Sequence, residues 1–540
     1  MPTVDALSAR LAGLRLYLVL AALALALLVP GLAALPPIDR DEARFMQASK
    51  QMIESGDYTR IRFQSEPRDK KPPGAYWLQA GAAGTFSPAD LTARWPYRLP
   101  SVIGVVLAVA ATAATARRFS GDTAAMLAGA ILASMPIVIV EGHLAKADAL
   151  LLGLSAVCFL VLRTAYCQRA PVHPAALMSF WVSLGASVVI KGPVLAGLLG
   201  LTILTLAVVD RGGHWLKRLR PIIGLPMAAA VVAAWIETVG WNEAMRFVPA
   251  AIAQDLLPKL FGGVESHGAP PGAHAAAAIL TLWPWSAMIP VAAVVAWRKR
   301  QQLDVRVCLA WITPAWLIAE LVPTKLPHYI LPCLPAVAIL MADALSQTPQ
   351  QLPRVLPWLA RTATAALPLV LAIGISAAHM NGYLDVTAGL IIVMVLPFLV
   401  TALAVDPWLV LRRTPLVLSA VVAVYALLFQ FILPGAKRLD IAGQLAAQIP
   451  QGTPVALAGF HEPSAVFRLG TGTQLTDTNA AIDHVIASPL AVAVIADDQW
   501  RDAERMAAAA GKMLLRTGRA SGYNYAKGSA IDLSLVRTEP

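Results

Sequence analysis

Between Pro36 and Leu78 the chain reads PPIDRDEARFMQASKQMIESGDYTRIRFQSEPRDKKPPGAYWL, a dense run of charge in an otherwise apolar protein. Asp39, Asp41 and Glu42 are groups that can take a proton or orient a hydroxyl. Arg44, Lys70 and Lys71 are groups that can hold an anion. Pro72-Pro73 follows Lys71 directly, so the stiff backbone fixes the direction of that ammonium. A fixed ammonium together with Arg44 suits a phosphate at a membrane surface. The same residues, with Tyr76 and Trp77 beside them, also fit an interfacial Lys/Tyr/Trp anchor.

The acids divide by position. Phe45, Met46, Ser49, Met52 and Ile53 share one helical face, and Ser55-Gly56-Asp57 supplies a stop. A short amphipathic helix is therefore predicted, lying in the membrane interface rather than spanning it. Asp39 at its N-cap and Glu42 three residues on would form a capping box. Capping leaves Asp41 over, and Asp41 is the candidate for chemistry.

The elements that must position this loop are apolar helices. Of 540 residues 57% are hydrophobic and 14% charged, against about 25% charged in soluble domains, and the mean hydropathy is +0.64. Runs near 20 residues recur at Leu14–Leu35, Tyr97–Ala116, Ala124–Val140, Asp148–Ala165, Ala176–Ile190, Val194–Val209 and Ile222–Val239. They continue at Ala275–Trp297, Arg306–Val322, Ile330–Leu345, Leu356–His379, Val386–Val405 and Pro415–Leu433. The fold class expected is an all-α polytopic membrane protein with about thirteen transmembrane helices. The first run is too long for a signal-peptide core, and Pro36-Pro37 is a poor cleavage context, so it reads as an uncleaved span.

Alternate connections carry Arg117-Arg118, Arg163 with Arg169, Arg211 with Lys217, Arg218 and Arg220, Arg298-Lys299-Arg300, Arg354, and Arg412-Arg413. These fall on one side if the spans alternate strictly, and that side is expected to be cytoplasmic. They account for most of the +11 net charge, so it does not imply nucleic acid. Cys158, Cys167, Cys308 and Cys333 have neither metal spacing nor a disulfide pattern.

The opposite face, periplasmic in a Gram-negative cell, receives the loop 36–96, the tip Glu141–Asp148, Lys191, the loop 240–273 and the turn Pro323–Tyr329. Asp148 opens a span beside His143 and Lys146, where a solvated helix cap is the simpler reading of position alone. Lys325 and Tyr329 stand at another helix start, where proline and aromatic-belt preferences also explain them. Their convergence on one face is what points to a site. Residues 1–435 make the membrane domain. Residues 436–540 carry TPVALAGF, LAVAVIADD and AIDLSLVR as strands and Asp498–Gly511 as an amphipathic helix, a small soluble α/β domain on the same outer face. No GxGxxG or P-loop occurs.

The order DEARF, SGDY, KPPGAYWLQA, KADALL, TKLPHYILP and a soluble C-terminal domain resembles the GT-C membrane glycosyltransferases. The resemblance is to the branch holding lipid A aminoarabinose transferases and bacterial relatives of protein O-mannosyltransferases. It implies inverting transfer of a sugar from a polyprenyl-phosphate donor, usually undecaprenyl-linked. The acceptor it implies is lipid A, another glycolipid or a protein, at the periplasmic face of the inner membrane. It places Asp41 and Asp148 as the catalytic acids. Arg44 and Lys71 would hold the lipid phosphate, Tyr329 would close over it, and Glu42, Lys70 and Lys325 complete the candidate substrate-binding set. His267 matches the family's metal-binding histidine, for zinc or magnesium, but Lys70 stands where the family has an acidic ligand. Lys70 could supply the positive charge instead.

Two rival classes remain. An O-antigen ligase or polymerase also keeps basic outer loops, but would not be expected to open with DEAR and KPP in one loop. A transporter or flippase tends to place charge near mid-membrane and to carry inverted repeats, neither of which is evident here.

Overall fold

The computed structural model describes residues 13–68, 71–251, 253, 268–346, 369–382 and 407–539. The chain begins with α1 (Leu14–Leu28), then α2 (Asp41–Ser55), a short hairpin of β1 (Arg62–Phe63) and β2 (Glu66–Pro67), and α3 (Gly74–Phe86). Helices α4 (Trp95–Ser134), α5 (Pro136–His143), α6 (Asp148–Cys167), α7 (Pro174–Lys191), α8 (Val194–Val209) and α9 (Pro221–Val239) follow. Then come α10 (Trp241–Ala251), α11 (Ala273–Thr281), α12 (Ile289–Arg298), α13 (Leu303–Leu321), a 3-10 turn at Pro327–Cys333, α14 (Leu334–Ser346) and α15 (Pro407–Leu427).

Among the described residues six helical segments are long and apolar enough to cross a membrane, and four shorter apolar helices accompany them. The chain is a multi-pass membrane protein. The expected Tyr97–Ala116 and Ala124–Val140 spans are drawn together in α4, which breaks at Ser120 and Gly121 and ends before Pro136. The expected Ala275–Trp297 span is interrupted between α11 and α12 by a 3-10 turn at Trp285–Met288. The run Val386–Val405 and the first part of Leu356–His379 lie outside the described residues.

Small residues allow the membrane helices to meet closely. A Cβ on Gly104 of α4 would stand 2.4 Å from the Ala149 carbonyl oxygen of α6, and one on Gly153 would stand 2.6 Å from that of Gly104. Backbone thus packs directly on backbone, as small residues permit between apolar helices. At one end of the bundle Arg163 reaches Asp304 at 2.5 Å and the Arg118 carbonyl at 2.8 Å. Lys299 pairs with Asp343 at 2.8 Å and Arg306 with Asp210 at 2.5 Å. Acids from neighbouring helices therefore draw together several of the loops whose basic clusters mark one side in sequence.

The C-terminal part holds α16 (Ile441–Gln448), β3 (Val455–Leu457), α17 (Pro463–Leu469), β4 (Gln474–Leu475), α18 (Thr478–Ala487), β5 (Val492–Ala496), α19 (Trp500–Ala509), β6 (Leu514–Asn524) and β7 (Ser529–Thr538). The sheet order is β4-β3-β5-β7-β6, parallel across β4, β3 and β5 and antiparallel from β5 to β7 to β6. The runs VAL and VAVIA are buried on both faces, as central strands covered by helices require. Strand β6 has no counterpart among the sequence-derived strands. Its LLRTGRASGYN carries charge, glycine and a bulge at Arg516–Gly518, as suits an edge strand.

Candidate active site

Helix α2 ends where the sequence indicates, with Gly56 in the left-handed conformation at φ 71. Its start differs from the expected capping box. Arg40 occupies the N-cap with no side-chain cap, and Asp39 turns away to the C-terminal domain. The Asp39 carboxylate accepts from the Ser464 backbone N–H at 2.9 Å, and its own N–H donates to the Tyr525 hydroxyl at 2.8 Å. Burial, against the pull of the Ser464 hydrogen bonds, pushes the Asp39 carboxyl up to about 6.

The polar face of α2 is not left to solvent. Gln47 bonds Thr471 at 2.8 Å, buried Lys50 donates to the Phe467 carbonyl at 3.1 Å, and Thr471 donates to Glu54 at 2.5 Å. The helix is clamped between α3 and α17.

Glu42 is also corrected. It is 1% exposed and its carboxylate is fully engaged. Oε1 accepts from Arg98 Nε at 2.8 Å and from the Ala145 N–H at 3.0 Å, and Oε2 accepts from the Ile38 N–H at 2.8 Å. Arg98 additionally donates to the carbonyls of Leu32, Leu35 and Pro36. This buried pair ties α1, α2, α4 and the Glu141–Asp148 tip together. Both oxygens of this carboxylate are taken up by groups of the protein itself.

Asp41 has the opposite environment. It opens α2 with its side chain 61% exposed, and Arg68 Nη2 stands 3.7 Å away. Arg68 is held there by the Tyr76 hydroxyl at 3.2 Å and by the face of Phe45, whose ring stacks on Tyr76 at 4.5 Å. Arg44 is half-buried one turn along α2, without a side-chain hydrogen bond or ion pair to a described residue. Lys71 is half-buried at the start of the Pro72-Pro73 turn that leads into α3. Lys70 and His267 lie outside the described residues.

Behind Asp41 sits a buried charge centre built from four segments. Asp148 at the start of α6 pairs with Lys191 at the end of α7, and Lys146 stands 3.8 Å from Asp148 and 3.2 Å from Glu141 at the end of α5. His328, from the turn after α13, places Nδ1 3.5 Å from Glu141 and Nε2 3.6 Å from Asp148. Burial opposes charge on Lys146, but Asp148, Glu141 and Asp41 outweigh it and raise its pKa. Asp41 is thus in the electrostatic field of this centre. Burial pushes Glu141 the other way from a free carboxylate, up to about 7 despite Lys146.

Asp148 is therefore an ion-pair member and not the solvated cap that position alone suggested. Tyr329 packs edge-on against His328, with ring centroids 5.2 Å apart. Lys325 takes another role than that expected. Its ammonium donates to the carbonyls of Glu320 and Val322, satisfying the C-terminus of α13. His143 points away from the centre, with its ring nitrogens at 2.8 Å from the carbonyls of Ile139 and Pro30.

The sequence reading did not assign Arg68, Arg98, Glu141, Lys146, Lys191 or His328 to a site. The usable signal was charge at the ends of apolar spans, which is costly unless paired. Among the described residues no three His, Cys, Asp or Glu side chains gather as metal ligands. The four cysteines are free.

A family model described as dolichyl-phosphate-mannose-protein mannosyltransferase matches residues 70–237. An undecaprenyl phosphate-alpha-4-amino-4-deoxy-L-arabinose arabinosyl transferase of Pseudomonas aeruginosa is 28% identical over 316 residues, 57% of this chain and 55% of the relative. The enzyme of the same description from Aeromonas salmonicida is 25% identical over 331 residues, 59% and 58% of the two chains. The chain spans about half the length of the curated relatives it matches. In structure it is similar to ArnT from Cupriavidus metallidurans bound to undecaprenyl phosphate, with a TM-score of 0.72 at 20% identity over 96% and 97% of the chains. At that identity the likeness is one of fold.

Proposed function

We propose that this chain is an inverting glycosyltransferase that takes a sugar from a polyprenyl-phosphate donor, of the undecaprenyl type. The acceptor would be lipid A, another glycolipid or a further cell-envelope molecule. The observation that carries the reading is exposed Asp41, 3.7 Å from Arg68 and within the electrostatic field of the Asp148–Lys191–Lys146 centre. The similarity to arabinosyl transferases and the common fold support the same reading.

In the proposed reaction an acceptor oxygen attacks the anomeric carbon as the bond from that carbon to the phosphate oxygen breaks. The bonding electrons leave with the polyprenyl phosphate. Arg44 and Lys71, with Lys70, would stabilise the charge that develops there, and Tyr329 would close over it. Asp41 takes the proton if the acceptor is a hydroxyl. If the acceptor is a phosphate no base is required, and Asp41 orients it. Lys146 and Lys191 pair with Asp148 behind the reacting groups, and Asp148 is proposed to orient them toward the donor.

The active face and residues 436–540 are proposed to be periplasmic, with the basic end of the bundle at the cytoplasm. Lys70 is proposed to replace the charge of a metal ion near His267, and stoichiometric zinc or magnesium in purified protein would refute that.

The test is transfer from a labelled undecaprenyl-phosphate sugar by purified protein. Asp41→Asn should lower kcat about 100-fold or more with a hydroxyl acceptor, and Lys71→Ala should lower kcat/KM. Unchanged turnover in both variants would remove the assignment.

A further inference from the structure

The backbone is sharply bent at the residue before Asp41. Arg40 lies at φ 70 and ψ −103, where any side chain other than glycine is strained. Helix α2 starts across this bend, with the Ala43 N–H reaching back to the Ile38 carbonyl at 3.0 Å. Strain of this kind persists only where surrounding contacts over-determine it, and it collects at functional sites.

The contacts that hold the bend come from the other end of the chain. Strands β6 and β7 are joined by a turn at residues 525–528. The Tyr525 hydroxyl accepts from the Asp39 N–H at 2.8 Å and donates to one Asp39 carboxylate oxygen at 3.4 Å, while the Ser464 N–H holds the other oxygen. The next residue of the turn, Ala526, accepts on its carbonyl from the Arg40 guanidinium. Buried Asn524 braces the turn by donating to Glu462 at 3.0 Å and accepting from the N–H groups of Ala526 and Lys527 at 3.0 and 3.2 Å. On its other side Asp41 is followed by Glu42, which Arg98 holds. Asp41 thus stands between two anchored neighbours, with its own exposed carboxylate 3.7 Å from Arg68. Tyr525 itself is 41% exposed and belongs to neither of the two clusters that form the core of the C-terminal domain, so its ring is not needed to fill that core.

We propose that Tyr525 is a positioning residue for Asp41. The β6–β7 turn grips Asp39 and Arg40, holds the bent backbone there, and so sets where the Asp41 carboxylate stands. The C-terminal domain acts on the reaction through this grip, a role that presupposes Asp41 as a working group of the proposed transfer.

Amide hydrogen exchange is measured on the full-length protein in detergent, with no substrate present. Tyr525→Phe keeps the ring and removes both bonds to Asp39. Amides in residues 38–44 should then exchange about fivefold faster or more, the net worth of one hydrogen bond, while α3 and α7 keep their wild-type rates. Lys527→Ala, exposed in the same turn, should change neither exchange nor turnover. Transfer from a labelled undecaprenyl-phosphate sugar is then compared in a double-mutant cycle. Tyr525→Phe should lower kcat about fivefold or more at unchanged KM, but less than about twofold once Asp41→Asn is present, because it acts through Asp41. An equal loss in both backgrounds would mark a purely structural role and overturn the proposal. Wild-type exchange at 38–44, or wild-type kcat, in Tyr525→Phe would overturn it as well. Wild-type turnover in Asp41→Asn alone is a separate failure: it removes Asp41 from the reaction, and the role of Tyr525 with it, in a variant whose turn is intact.

Discussion

Glu42→Gln separates two roles that the same carboxylate could play. The substitution keeps the side-chain shape and removes one charge from the buried pair with Arg98, both of whose side chains are 1% exposed. Removing one partner of a buried ion pair costs about 3–5 kcal/mol, because the other charge stays buried without compensation. Three carbonyls remain on Arg98, and a Gln oxygen can still accept one bond, so the lower end of that range applies, about 3 kcal/mol. The loss should appear as a lower unfolding midpoint in detergent, with residual activity following the folded fraction at unchanged KM. Glu42→Gln combined with Arg98→Met should recover part of the stability, since the two changes are coupled. A variant with wild-type stability and a raised KM would refute the reasoning and return Glu42 to the substrate ligands.

Two further outcomes follow from the contacts. The folded state holds the Asp39 proton up to about pH 6 whereas a free Asp releases it near 3.8. The folded state therefore binds more protons than the unfolded state between these values, and stability should fall as pH rises from about 4 to about 6, by on the order of 3 kcal/mol. Asp39→Asn should abolish that slope in unfolding measured across the window, and an unchanged slope would count against burial of Asp39 beneath Ser464 and Tyr525. Gly104→Ala places a methyl 2.4 Å from a backbone oxygen of α6 and should destabilise by about 1–3 kcal/mol. Gly81→Ala, where the added methyl meets nothing within 4 Å, is the control.

The membrane class, the amphipathic helix that stops at Gly56, and three of the five C-terminal strands were legible because each is encoded locally. Apolar length, a helical face followed by glycine, and buried runs of valine are properties of consecutive residues. Asp41 emerged by subtraction, once capping was given to its neighbours, although capping turned out to be the wrong use for Asp39. The partner that Asp39 takes is more than 400 residues away in sequence, and local reasoning has no access to it.

By itself, then, the sequence determined that a loop of acids and bases sits among apolar spans, with Asp41, Arg44 and Lys71 in it. Tertiary structure decided which charges face a reactant and which face each other. Glu42 and Lys325 look like their exposed neighbours in the chain, yet one is spent on Arg98 and the other on the carbonyls that end α13. Asp148, Lys146, Lys191, Glu141 and His328 come from four separate segments and become a centre only when α5, α6, α7 and the turn after α13 converge. The physical reason is that a buried charge must find its opposite in space, and the helices that bring the opposites together are specified by packing along their whole length rather than by the residues at their ends.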